Sequence, residues 1–333
     1  MKYILWFLAL IPVLLGVCAW QGWERYQDFL RTPLKITSDQ QTFLLEQGTP
    51  GAEIVNQLGL LGVTRPGWEW RLLMRMEPGV YRAGEYRLEA GITPRELLEK
   101  LSGGRVVQYR LTLVEGWTFK QFAAVLDANQ VLTHELDLAD TGSWDSVSAL
   151  LGLEHPEGWF LPETYQFSRG DSERDILVRA HAAMVQALEE AWISRDDDLP
   201  IDSPYELLIL ASIIEKETSL EEERPHVAGV FARRLKKGMK LQTDPTVIYG
   251  MGESFDGDIR RRDLKTDTAY NTYTRRGLPP TPIAMPGRES LAAAARPAPG
   301  EARFFVADGK GGHTFSVTLD QHQQAVKKLT ERN

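Results

Sequence analysis

The apolar residues of this chain change their period along its length, and the changes divide it. The opening segment, MKYILWFLALIPVLLGVCAW, carries no charge from Tyr3 to Trp20. That is about the shortest apolar run that crosses a bilayer as a helix. Lys2 precedes the run, Trp20 and Trp23 mark its far interface, and Glu24 and Arg25 follow. The pattern predicts a transmembrane anchor over residues 1–20. A cleaved signal peptide is the alternative, because Val17-Cys18-Ala19 offers small residues at a cleavage site. The length of the run and a polar start of only Met-Lys favour retention. A lipoprotein signal fits less well, since Val17 stands where a small residue should precede Cys18. No second run of this kind follows, so the remaining chain lies on one side of the membrane, and Lys2 votes weakly for the outside.

After a linker at 21–37 a shorter pattern recurs. FLLEQGTPGAEIVNQL (43–58), YRLEAGITPRELLEKL (86–101) and LTLVEGWTFKQFAAVL (111–126) each read strand, glycine turn, threonine, helix. In the second copy Thr93 is placed as an N-cap, Pro94 suits the first helical position and Glu96 closes a capping box. Thr118 and Gln121 repeat that spacing. Such copies arise either as ordinary strand-to-helix connections or as a small sugar-binding module. The first two resemble a LysM-like domain, a fold associated with N-acetylglucosamine polymers, although the Trp68–Trp70 insertion departs from its pattern. Helical periodicity then predicts helices over 173–194, 204–218 and 225–237, the last ended by Gly238. FFVADGKGGHTFSV reads as two strands around a glycine turn, followed by a terminal helix from about Leu319.

The third pattern carries the candidate chemistry. Residues 211–219, ASIIEKETS, close a very apolar helix with two glutamates. Advancing ~100° per residue from Leu207 puts Leu210, Ala211, Ile213 and Ile214 on one side. Glu217 falls on that apolar stripe. Glu215 falls on the flank, where it is expected to be solvated. A carboxyl on an apolar face is either a buried group held by partners or a general acid kept protonated by desolvation. The second device serves glycosidic-bond cleavage.

Composition narrows the choice little. A net charge of −8 opposes a nucleic-acid partner, and a single cysteine excludes a disulfide within the chain. The six histidines form no HExxH pattern, so no metal or other cofactor is expected. Gly309-Lys310-Gly311-Gly312 lacks the spacing of a phosphate loop and reads as a hairpin turn. The basic run Arg233–Lys237 reads as a solvated helix end, with anionic peptides or lipid head groups as the alternative. Loops rich in Asn, Gln, Thr and Tyr suit a neutral polyhydroxy ligand. They supply Gln242, Asp244, Asn271, Tyr273, Glu163 and Tyr165 as substrate-binding candidates, with loop-fixing hydrogen bonds as the other explanation of each.

ASIIEKET, QTDPTVIYGMG, AYNTYT, GLPPTPIAMPG and ADGKGGHTF together closely resemble the endolytic murein transglycosylases of the MltG (YceG-like) family. The resemblance covers about residues 38–330. It implies an α+β fold: a transmembrane helix, a LysM-like module at 38–110 and a larger catalytic domain at 111–333. It further implies a single-pass protein of the bacterial inner membrane with its catalytic part in the periplasm. Such an enzyme cuts the MurNAc–GlcNAc bond within nascent peptidoglycan strands, leaves 1,6-anhydro-MurNAc ends and ends elongation beside penicillin-binding protein synthases. The family's essential glutamate is the second of EKET, here Glu217. Two rivals stand beside this reading. One is a hydrolase, for which Glu163 would be the second carboxylate; the other is a non-catalytic glycan-binding scaffold.

Overall fold

The computed structural model describes residues 2–38, 41–138 and 144–331, with side chains placed from Ile11 onward. The first half of the anchor expected over residues 1–20 therefore lies outside the described side chains. Among the described residues, no helix is long and apolar enough to cross a membrane. The architecture is mixed α+β, and the chain forms two compact units. The first runs up to Tyr109 and takes in Phe167–Gly170; the second holds the rest.

The first unit contains helix α1 (Lys2–Arg31), β1 (Thr42–Leu45), α2 (Gly51–Leu60), α3 (Trp68–Met76), β2 (Gly84–Arg87) and α4 (Pro94–Gly103). β1 and β2 pair antiparallel, with Phe43 opposite Tyr86. Alternation along β1 sends Phe43 and Leu45 inward, where they meet Ile54, Leu58, Trp70, Leu73, Leu97 and Leu101. Helix α4 starts as its sequence predicts. Thr93 N–H donates to Glu96 Oε2 at 2.8 Å, and the Thr93 hydroxyl receives the Glu96 amide. Gly104 ends it in the left-handed conformation at φ 65°.

The expected linker at 21–37 is not one. α1 continues to Arg31, and Tyr26, Leu30 and Leu34 are buried in the core of this unit. Leu34 N–H donates to Ile92 O at 2.8 Å and Lys35 N–H to Val63 O at 2.9 Å, so the segment after the helix is tied down as well. The sparse apolar positions 26, 30 and 34 lie among Glu24, Arg25, Gln27 and Asp28, which hid a four-residue period.

β3 (Tyr109–Thr112) pairs with β4 (Thr164–Phe167). The second unit then has α5 (Phe119–Asp127), α6 (Asp145–Leu151), α7 (Glu173–Ile193), α8 (Pro204–Glu217), α9 (Arg224–Lys236), α10 (Asp244–Met251) and α11 (Arg288–Ala295). It closes with β5 (Phe304–Ala307), β6 (His313–Ser316) and α12 (Leu319–Thr330). Ser203 caps α8 by accepting Glu206 N–H at 3.2 Å, and Pro204 takes the first helical position. Every residue of α8 from Leu207 to Ile214 is buried, against α7, α9, α10 and α11. A helix apolar on all sides belongs in the middle of a domain. The buried stripe of α7 runs Ile176, Leu177, Ala180, Met184, Ala187, Leu188 and Ala191.

The basic end of α9 is solvated only in part: Lys236 and Lys237 are exposed, whereas the two arginines are held by the protein. Arg234 is 7% exposed and gives N–H bonds to Arg303 O and Leu241 O, both at 2.6 Å. Arg233 donates to Ala302 O at 2.6 Å and Ala298 O at 3.0 Å. Both guanidinium groups fix the chain that leads into β5, and that of Arg234 also holds the segment before Gln242. β5 and β6 form the expected hairpin, with Ala307 opposite His313. Its turn is closed by Asp308 Oδ1, which accepts Lys310 N–H at 2.6 Å and Gly312 N–H at 3.1 Å.

Two substitutions test this packing by urea unfolding. Leu30→Ala should cost about 2–4 kcal/mol, as for a core leucine, where a linker position would cost almost nothing. Thr93→Ala should cost about 1 kcal/mol through loss of the capping box.

Candidate active site

Glu217 is the last residue of α8. The chain leaves the helix at Thr218, which is extended at φ −145° and ψ 137°. The side chain therefore stands at the negative end of a buried helix dipole, a place that disfavours a carboxylate. It opens onto a cleft of about 440 Å³. Protein surrounds it on most sides, and only part of its surface remains open.

Gln242, Asp244 and Tyr273 line the same cleft, so the structure brings three of the sequence candidates to Glu217. Their loops are locked to each other by threonines. The Thr243 hydroxyl donates to Glu217 Oε1, and Thr243 N–H donates to Thr272 Oγ1 at 3.1 Å. Thr246 Oγ1 donates to Thr243 O at 2.8 Å and its oxygen lies 2.9 Å from that of Thr272. Tyr273 O–H donates to Asp244 Oδ1 at 2.6 Å. Gln242 sits at φ 51°, in the left-handed region that a residue with a Cβ avoids. That conformation costs ~1–3 kcal/mol and is held by the surrounding bonds.

Asn271 is buried beside this cleft and does not line it. Its Nδ2 donates to Thr266 O at 2.7 Å and Asp263 O at 3.1 Å, while its Oδ1 accepts Tyr273 N–H at 2.9 Å. It shapes the loop that presents Tyr273. Glu163 and Tyr165 also lie outside the lining. Glu163 is exposed just before β4 and pairs with Arg288 at 3.2 Å; Tyr165, within β4, is buried and donates to Leu161 O at 2.6 Å.

Glu215 corrects a second expectation. Its side chain is 6% exposed and is fully engaged. Oε2 accepts Gly287 N–H at 3.0 Å and Ser290 O–H at 2.7 Å, and Arg224 lies 3.6 Å from Oε1. This carboxylate thus caps the N-terminus of α11. A helical wheel cannot show that α11 lies against the flank on which Glu215 falls.

Burial is the main cause that pushes the Glu217 carboxyl above its ordinary value. The Thr243 hydrogen bond opposes this, the negative charge of Asp244 adds to it, and His313 and Arg234 oppose it more weakly. The net direction is upward, so the acid form persists at higher pH than in an ordinary glutamate. Sequence reasoning missed Thr243, Arg234, His313 and His322, all of which touch Glu217 or line its cleft. Thr243 lay inside the quoted QTDP and His313 inside ADGKGGHTF, but neither spacing marked them as site residues.

The YceG-like family model matches residues 43–328. A Bacillus subtilis protein named endolytic murein transglycosylase is 32% identical, over 74% of this chain and 73% of that protein. A Streptococcus pneumoniae protein of the same name is 25% identical, over 93% of this chain but 62% of its own length. The crystal structure of a YceG-like protein from Listeria monocytogenes matches with a TM-score of 0.55 and 28% identity, covering 86% of this chain and 98% of that one. The family match runs through both units and through every loop that meets at Glu217, and the chain belongs to the YceG-like family.

Proposed function

We propose that this chain is an endolytic lytic transglycosylase of peptidoglycan, with Glu217 as its proton-transfer residue. The observation that carries the reading is a carboxyl whose proton affinity is raised, chiefly by burial, in a cleft that it shares with Gln242, Asp244, Tyr273, Arg234 and two histidines. The relatives named endolytic murein transglycosylases support it.

The Glu217 carboxyl donates its proton to the oxygen joining the anomeric carbon of N-acetylmuramic acid to N-acetylglucosamine, and that C–O bond breaks. The N-acetyl group can assist through an oxazolinium-like species. The C6 hydroxyl oxygen of the same muramic acid then bonds to the anomeric carbon and gives up its proton. If Glu217 accepts that proton, the carboxyl returns to its starting form, a 1,6-anhydro ring is closed and no water is consumed. Thr243 fixes the carboxyl in one orientation, while burial, with the charge of Asp244 added, raises its proton affinity.

The proposal extends to the setting of the enzyme. The apolar run Tyr3–Trp20 supports a single-pass anchor in the bacterial inner membrane, with the two units in the periplasm. There it would act on nascent strands beside penicillin-binding protein synthases. Residues 38–110 would serve as a LysM-like module and 111–333 as the catalytic domain. One observation favours a second reading, a hydrolase: Asp244 supplies another carboxylate in the cleft, where Glu163 does not.

Mass spectrometry of glycan strands treated with the full-length chain separates the two. Anhydro-muramic ends are expected from the wild type, and ends heavier by one water would mean hydrolysis. Glu217→Gln should lower the rate by ~10²–10⁴-fold, as loss of a general acid does. Because the acid form is the active one, the rate should fall as pH rises through the elevated Glu217 value. Asp244→Asn removes a like charge and should move that alkaline limb to lower pH in a pH–rate profile; an unmoved limb would show that Asp244 does not tune Glu217.

A further inference from the structure

The cleft holds a second titratable pair that the role of Glu217 leaves unused. His313 opens β6 and lines the cleft with Glu217. Glu223, just before α9, grips it twice. Oε1 accepts His313 N–H at 2.7 Å, and Oε2 lies 2.7 Å from Nδ1. The Thr218 hydroxyl donates to the same Oε2 at 3.3 Å and accepts Leu220 N–H at 3.1 Å. Glu223 therefore joins the residue directly after Glu217 to an imidazole that lines the same cleft. Phe305 meets the His313 ring edge-on at 5.2 Å and holds its plane.

The tautomer follows from these bonds. Burial alone would push the Glu223 carboxyl up, but its bonds from His313 and Thr218 outweigh burial and hold it below the ordinary carboxylate value. An ionised carboxylate only accepts, so Nδ1 is the donor. Nε2, on the ring edge remote from Glu223, is then the atom that carries a lone pair in the neutral imidazole. An acid, a base and a group orienting the base are what proton transfer at two oxygens requires.

We propose that His313 is the second proton-transfer residue of this cleft, its Nε2 taking the C6 hydroxyl proton while Glu217 protonates the departing glycosidic oxygen, with Glu223 as the positioning residue. This rests on the transglycosylase reading and assigns to two groups the traffic that Glu217 alone could carry. The balance closes without a co-reactant. Glu217 gives one proton to the leaving oxygen, the anomeric C–O bond breaks, the C6 oxygen bonds to that carbon, and its proton passes to Nε2. The imidazolium returns a proton to the Glu217 carboxylate through solvent after product leaves. The charged and titratable groups that share this cleft with His313 are Glu217, Arg234, Asp244, Tyr273 and His322, with Glu223 behind the ring.

The test uses the full-length chain in detergent on uncrosslinked glycan strands, with anhydro ends counted across pH and thermal unfolding run on each variant. His313→Gln should lower kcat by about 100-fold with little change in KM. It should also abolish the acid limb of the profile, which reports protonation of the base. Added imidazole should restore part of the rate of His313→Gly, and Glu223→Gln should keep the acid limb but move it to lower pH. A wild-type rate from His313→Gln, with anhydro ends still formed, overturns this inference and leaves the transglycosylase reading intact. A loss that imidazole does not rescue and that leaves the acid limb in place also overturns it, by showing a structural role. Reducing ends from the wild type overturn both readings.

Discussion

A carboxyl group at the negative end of a helix that is buried on every side is the constraint from which the second unit is built. Burial of α8 makes its last turn rigid, and the helix dipole makes that turn a poor place for an anion. Desolvation is the main cause that raises the proton affinity of Glu217, and the place where the helix stops works in the same direction. The neighbouring carboxylate shows the contrast. Glu215, two residues earlier, is held by two N-terminal groups of α11 and lies beside an arginine. One helix end thus holds two glutamates with different duties, one that fastens a neighbouring helix and one, raised in proton affinity, that opens onto a cleft.

The remaining parts of the site are loops, and loops need a frame. Here the frame is made of small hydroxyl side chains. Thr243, Thr246 and Thr272 bond across two chain segments and hold Gln242 in a conformation it would not adopt alone. Asn271 does the same for the loop that carries Tyr273. Polar residues that appear in sequence as a sugar-binding surface divide into those that face the cleft and those that hold the others in place.

That division explains how much was legible beforehand. Period and capping chemistry located the helices over 173–194, 204–218 and 225–237, the threonine caps and the β5–β6 hairpin, because these rest on neighbours close in sequence. The position of Glu217 on an apolar stripe was also a local fact. What failed depended on distant partners. Glu215 seemed solvated because the wheel could not show α11 lying against it. Residues 21–37 read as a linker because their apolar positions find a core only when β1, α2 and α4 are present. Glu163 and Tyr165 were grouped with the cleft by composition, but their partners are Arg288 and the carbonyl of Leu161, outside its lining. His313 could not be read at all, since its meaning comes from Glu223, ninety residues upstream in sequence.

The arginine at the end of α9 has one more consequence. Arg234 binds the carbonyl of Leu241, at the foot of the loop carrying Gln242, and the carbonyl of Arg303, at the entrance to β5. Both segments border the groove, so its gauge is set by the reach of one planar guanidinium group. A lysine has a single nitrogen and cannot span two carbonyls in this way. The groove therefore has an internal ruler, and a chain that changed this residue would have to recut the groove to a different width or let its two walls drift apart.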